Sequence, residues 1–139
     1  MPILNRFSRL FTADLHAVLD RIEEPDVVLR QAVRDMENEL LALNEQARMH
    51  KQQVEHAAAV EHAADEQLRT LDEELDVCFA ANEEQLARSL VKRKLETEHH
   101  RRHAQERRQE AQRSVDQLQQ TIAQASEKLA AMREKVAVM

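Results

Sequence analysis

Residues 29–78 read LRQAVRDMENELLALNEQARMHKQQVEHAAAVEHAADEQLRTLDEELDVC, and the apolar side chains in this stretch recur at alternating spacings of four and three. Leu29, Val33, Met36, Leu40, Leu43, Ala47, His50, Val54, Ala57, Glu61, Ala64, Leu68, Leu71, Leu75 and Cys78 form one seam, interrupted in chemistry only at His50 and Glu61. A 3.5-residue repeat held over about seven heptads predicts a coiled-coil helix. Underwinding a helix slightly to that period keeps one stripe turned toward a partner along the whole length.

Both ends of this helix are marked. Upstream, Glu23-Glu24-Pro25 closes an earlier segment, because proline disfavours right-handed helical geometry in the residue before it and suits a first helical turn itself. Pro25 is therefore read as a hinge. Downstream, the phase is lost after Phe79-Ala80-Ala81-Asn82, and Asn82 is the residue there best able to take a left-handed cap without glycine, which places a turn at about 80–84. A second seam follows from Ala87 and Leu90 through Lys94, Thr97, Arg101, Ala104, Arg108, Ala111 and Val115 to Leu118, Ile122, Ala125, Leu129, Met132, Val136 and Met139. Two long helices joined by a short turn fold back on each other. The expected class is all-α: an amphipathic N-terminal helix and hinge over 1–24, then an antiparallel coiled-coil hairpin over 25–139 with arms at about 25–80 and 84–139.

Charge predicts the same pairing independently. With the turn centred on Asn82, residue i faces roughly residue 164 minus i, so 55–76 lies beside 88–109. The first stretch carries eight acids against Arg69, a net of −7; the second carries eight bases against three acids, a net of +5. Exposed ion pairs are each worth only about 0–1 kcal/mol, so this complementarity selects register and orientation more than it stabilises. Ala57 and Ala64 leave room for the stems of Arg101 and Arg108, with Glu61 near the height at which their guanidinium groups arrive. Glu61 is expected to pair there, the alternative being a contact to another subunit.

Composition narrows the function. Of the 139 residues none is glycine, two are proline, and the aromatic residues are three Phe with no Trp or Tyr. Phosphate-cradling loops, dinucleotide-binding turns and nucleophile elbows all use glycine, so their usual forms cannot be built. No catalytic residue, metal or cofactor is assigned. Cys78 sits on the seam beside the turn and reads as a small buried hydrophobe, and a lone cysteine makes a reducing compartment the default. His99 and His103 share a face with Glu96 and Glu106, but five nearby arginines oppose a cation and a solvated polar face is the simpler reading. A net charge of −6 and a basic run without interleaved aromatics argue against nucleic acid. No apolar run is long enough to span a bilayer, and no secretory signal is read.

The N-terminal stretch is the most informative for function. On a helix, Leu4, Phe7, Phe11, Leu15, Val18 and Ile22 share one side, and two of the three Phe of the protein are among them. Such a helix can lie in a membrane interface with Arg6 and Arg9 near anionic lipid, or its apolar face can pack on the hairpin or on a neighbouring subunit.

The run from Asn5-Arg6-Phe7 to Leu19-Asp20, followed by Glu24-Pro25, Leu29, Gln31 and Asp35-Met36-Glu37, resembles the opening of the family of phage shock protein A and the vesicle-inducing protein in plastids. Glu83 to Arg88 and Lys92 to Leu95 are similar to that family's hairpin tip. The resemblance implies a bacterial ESCRT-III-like fold and a cytoplasmic, non-enzymatic scaffold, peripheral on the inner face of the cytoplasmic membrane, that supports membrane integrity under envelope stress. It implies membrane contact by Arg6, Phe7, Arg9, Leu10, Phe11, Leu15 and Val18, with anionic lipids and further copies of the chain as partners. A second implied role is a soluble regulator that binds and inhibits an AAA+ transcription activator of the stress operon. Family members continue beyond the hairpin into helices that lock neighbouring subunits, whereas this sequence ends at Val138-Met139, as a short form or a fragment would. Association is then left to the apolar edges of the hairpin itself.

Overall fold

The computed structural model describes residues 24–138, so the expected N-terminal helix and Met139 lie outside it. Two helices account for nearly all of these residues: α1 (Pro25–Ala80, 56 residues) and α2 (Glu84–Val138, 55 residues). They pack against each other as the predicted all-α hairpin. Every described seam position of either arm is buried or half-buried, including the polar ones at His50, Glu61, Lys94, Arg101 and Arg108.

Helix α1 begins where the proline requires. Glu24 is held in the left-handed region at φ 55°, and its carbonyl accepts the first helical bonds from the N–H groups of Val27 at 3.1 Å and Val28 at 3.3 Å. Pro25 occupies the first helical position, where its missing N–H costs nothing, and Asp26 complements the positive end of the helix dipole.

At the other end the chain reverses within three residues. Asn82 has φ 57°, the Glu83 N–H donates to the Cys78 carbonyl at 3.0 Å, and the Asn82 N–H donates to the Phe79 carbonyl at 3.4 Å. This is the double bond of a Schellman cap, with asparagine in the place glycine usually takes. The Glu83 carbonyl then accepts from the Ala87 N–H at 2.9 Å and opens α2. Replacing Asn82 with Val puts a β-branched side chain into that left-handed geometry and is expected to cost about 1–2 kcal/mol, with Asn82→Gly tolerated. Circular dichroism melts check it; equal melting of the Val variant and the wild type would mean that the cap does not hold the turn.

The chain forms two compact units: a base unit of 24–48 with 116–138 among the described residues, and a tip unit, Met49–Val115. The base unit has the larger side chains. Met36, Leu43 and Met132 are fully buried among Leu29, Ala32, Ala125 and Leu129, with Val33, Leu40, Leu118, Ile122 and Val136 packed around them. Glu37 and Arg133 bridge the two helices at 2.7 Å on the surface of this core. In the tip unit an apolar cluster of Leu71, Leu75, Cys78, Ala87 and Leu90 lies under the turn. Further along, the buried residues are mostly alanine, at 57, 64, 104 and 111, followed by Val115. The seam there is thin.

Candidate functional site

The membrane-contact residues expected from the sequence, Arg6, Phe7, Arg9, Leu10, Phe11, Leu15 and Val18, lie outside the described residues. The described candidate surface is the tip unit, where helix pairing, charge and exposed apolar side chains meet.

Three ion pairs cross between the helices in this unit. Arg108 Nε donates to Glu61 Oε2 at 2.8 Å, Arg101 Nε donates to an Asp65 carboxylate oxygen, and Lys94 Nζ lies 2.7 Å from Asp72 Oδ1. Glu61 and Arg108 are thus brought together, whereas Arg101, expected beside Glu61, is taken by Asp65. The displacement has one cause. Side chains on a helix lean toward its N-terminus, so on antiparallel helices the two partners lean in opposite directions and meet only if each is numbered somewhat further along than its height implies. Asp72 therefore reaches Lys94 and not residue 92, Asp65 reaches Arg101 and not His99, and Glu61 reaches the long Arg108 and not His103. The Lys94–Asp72 pair was not singled out from the sequence, although Lys94 already stood out as a cation on an apolar seam.

Glu61 is the most enclosed of these groups, with 15% of its side chain exposed against 35% for Arg108. Buried Ala57 and Ala64 flank it on α1, and buried Ala104 and Ala111 flank Arg108 on α2. The guanidinium is held by the carboxylate. At the shallower pair, the hydrogen bond from Lys94 to Asp72 holds the ammonium above the ordinary lysine range. A raised lysine pKa contributes stability that is present below the unfolded-state value and is lost only as pH rises through the alkaline folded-state value.

The histidine and carboxylate candidates for a metal lie among the described residues. No group of three or more His, Cys, Asp or Glu side chains there is placed to hold a metal ion, and Glu96, His99, His103 and Glu106 are all exposed. No polar or charged side chain among them is fully buried, and no buried side-chain nitrogen or oxygen lacks a partner. Cys78 is a free, buried thiol.

The periodicity gave no signal for one feature of the tip. Val77, Phe79, Leu86, Val91 and Leu95 are exposed large apolar residues within about twenty positions of the turn, and Phe79 is 62% exposed. An open groove of about 550 Å³ lies between the helix ends, with Phe79, Ala87, Arg88 and Val91 among its lining. The available sign was that Val77 and Phe79 flank Cys78 and are out of phase with the seam.

The hairpin has a thin seam and an ion-paired tip unit, and the chain contains no glycine. Its sequence matches the model of the PspA/IM30 family over residues 2–139. The chain belongs to the PspA/IM30 family. No curated protein and no solved structure matches it. The PspA/IM30 family is, in general, one of membrane-associated, non-enzymatic scaffolds of stress response. No helix among the described residues is long and apolar enough to cross a membrane.

Proposed function

We propose that this chain is a peripheral membrane scaffold: the amphipathic segment at its start engages anionic lipid, and the hairpin behind it associates with other copies to support membrane integrity under envelope stress. On this reading it works on the inner face of the cytoplasmic membrane. The observation that carries the reading is that a single family pattern runs through residues 2–139, covering the amphipathic start and both arms together. The physical chemistry agrees with it. A stripe of Leu4, Phe7, Phe11, Leu15 and Val18 with Arg6 and Arg9 beside it is the composition that partitions into a headgroup region, and the apolar side chains left exposed near the turn favour covering by another protein surface.

Vesicle co-sedimentation tests this. The wild type is expected to pellet with vesicles of anionic lipid and much less with neutral ones, and a chain lacking residues 1–22 is expected to stay in the supernatant with both. Equal pelleting of the two proteins would instead favour the soluble regulator, a hairpin that binds an AAA+ transcription activator.

A further inference from the structure

From Val91 to Ser114, about 35 Å of helix, α2 buries only Ala104 and Ala111, and its two large apolar side chains there, Val91 and Leu95, are exposed. The facing part of α1 is little better filled. From Met49 to Thr70 its buried residues are Ala57 and Ala64, with Val54, Val60 and Leu68 half-buried. An open groove of about 660 Å³ lies beside Ala57 and Ala111. What crosses from helix to helix along this section is charge: Glu61 with Arg108, Asp65 with Arg101 and Asp72 with Lys94. Asp65 and Asp72 keep about half of their side chains exposed. Toward the turn the packing changes in kind, to the buried cluster of Leu71, Leu75, Cys78, Ala87 and Leu90.

These two kinds of packing answer to different conditions. Apolar burial stabilises in proportion to the area removed from water, and an alanine methyl removes little of it beside a leucine. Ion pairs open to solvent contribute weakly, and salt screens them. Local opening begins where few apolar contacts hold an element in place. In the tip unit that place is the alanine section, and the cluster under the turn is the part best able to stay shut.

We propose that the alanine section is a conformational device: its seam parts and recloses while the cluster under the turn stays packed, and ionic strength sets how often it does so. Opening brings Ala104 and Ala111 into water and separates Arg101 and Arg108 from their carboxylates. Cys78 stays covered throughout. Neither lipid nor a second copy enters the device, so it stands apart from the scaffold reading. The chain carries its own reporter of the closed end, since Cys78 is its one cysteine and is a free, buried thiol.

Thiol labelling of the dilute full chain, without lipid, tests it. Cys78 of the wild type reports the turn cluster, and Ala104→Cys in a Cys78→Ala background reports the alanine section, because Ala104 is fully buried. Each rate is divided by that of the same thiol in the chain unfolded by guanidinium chloride. The thiol introduced at position 104 is expected to react about tenfold faster than Cys78. Raising the ionic strength from about 0.05 M to about 0.5 M should quicken it about threefold further and leave Cys78 unchanged. Adding Ala111→Leu, which extends an apolar side chain beside the groove, should slow labelling at 104. Hydrogen exchange of the unsubstituted chain makes the same comparison without any mutation: corrected for intrinsic rates, amides of 101–111 should exchange faster than those of 71–78. Equal rates in the two regions would mean that the tip unit opens as a single body, and a rate at 104 that ignores salt would take the ion pairs out of the device. Either result overturns the proposal.

Discussion

Phe11→Asp is expected to weaken binding to anionic vesicles about a hundredfold and to leave the hairpin's helicity unchanged. Phe11 stands near the middle of the apolar stripe that runs from Leu4 to Val18. Withdrawing a buried Phe from an apolar environment costs about 1.5–3 kcal/mol, and an acidic group beside an anionic surface adds about 1 kcal/mol of repulsion. Together they come to about 3 kcal/mol, or roughly two powers of ten in affinity. The two contributions separate with salt. Charge near the bilayer surface is screened over about 10 Å at 0.1 M ionic strength, so the losses from Arg6→Ala and Arg9→Ala should shrink as salt is raised. The apolar part of the Phe11→Asp loss should persist, and Phe11→Leu should bind almost normally. Co-sedimentation at two salt concentrations reads all of this; indifference to Phe11→Asp would detach the first segment from the membrane.

The architecture was legible because one signal dominates the chain. With no glycine and with prolines only at 2 and 25, nothing competes with the 3.5-residue period, and the same period that named Leu71 and Leu75 also named Lys94, Arg101 and Arg108 as seam positions. The fold-back arithmetic was less accurate, because it treats side chains as if they stood perpendicular to the helix axis. They lean, and so Asp65 holds the Arg101 that simple counting gave to Glu61. The outward faces were legible least. A periodic pattern says which residues turn inward, and it is silent on what covers Val77, Phe79 or Leu95 outside. The change from Leu and Met in the base unit to Ala and charge in the tip unit was present in the seam itself. Reading the seam only for its spacing hides that change, since alanine keeps the period while giving up most of the buried volume.

Glu61→Leu is expected to destabilise the hairpin by about 1–2 kcal/mol, and Glu61→Leu combined with Arg108→Leu to restore the loss or exceed it. The single change leaves Arg108, whose side chain is about two-thirds enclosed, without its carboxylate, and a partly enclosed charge deprived of its partner costs more than the pair itself was worth. Removing both groups eliminates that penalty and lets two leucines fill the room beside Ala57, Ala64, Ala104 and Ala111. A double-mutant cycle measured by denaturant unfolding should therefore give a coupling of about 1–2 kcal/mol. Additive effects would mean that Glu61 and Arg108 do not act as a pair in solution. Any gain in stability should come with a loss of definition. A seam apolar through this stretch no longer penalises a slipped register or a hairpin opened onto a neighbour, and one polar pair inside a coiled coil is a recognised means of excluding such alternatives. The double variant is accordingly expected to sediment as a broader mixture of species than the wild type. A single sharp species identical to wild type would leave the Glu61–Arg108 pair without a role in choosing how the two arms align.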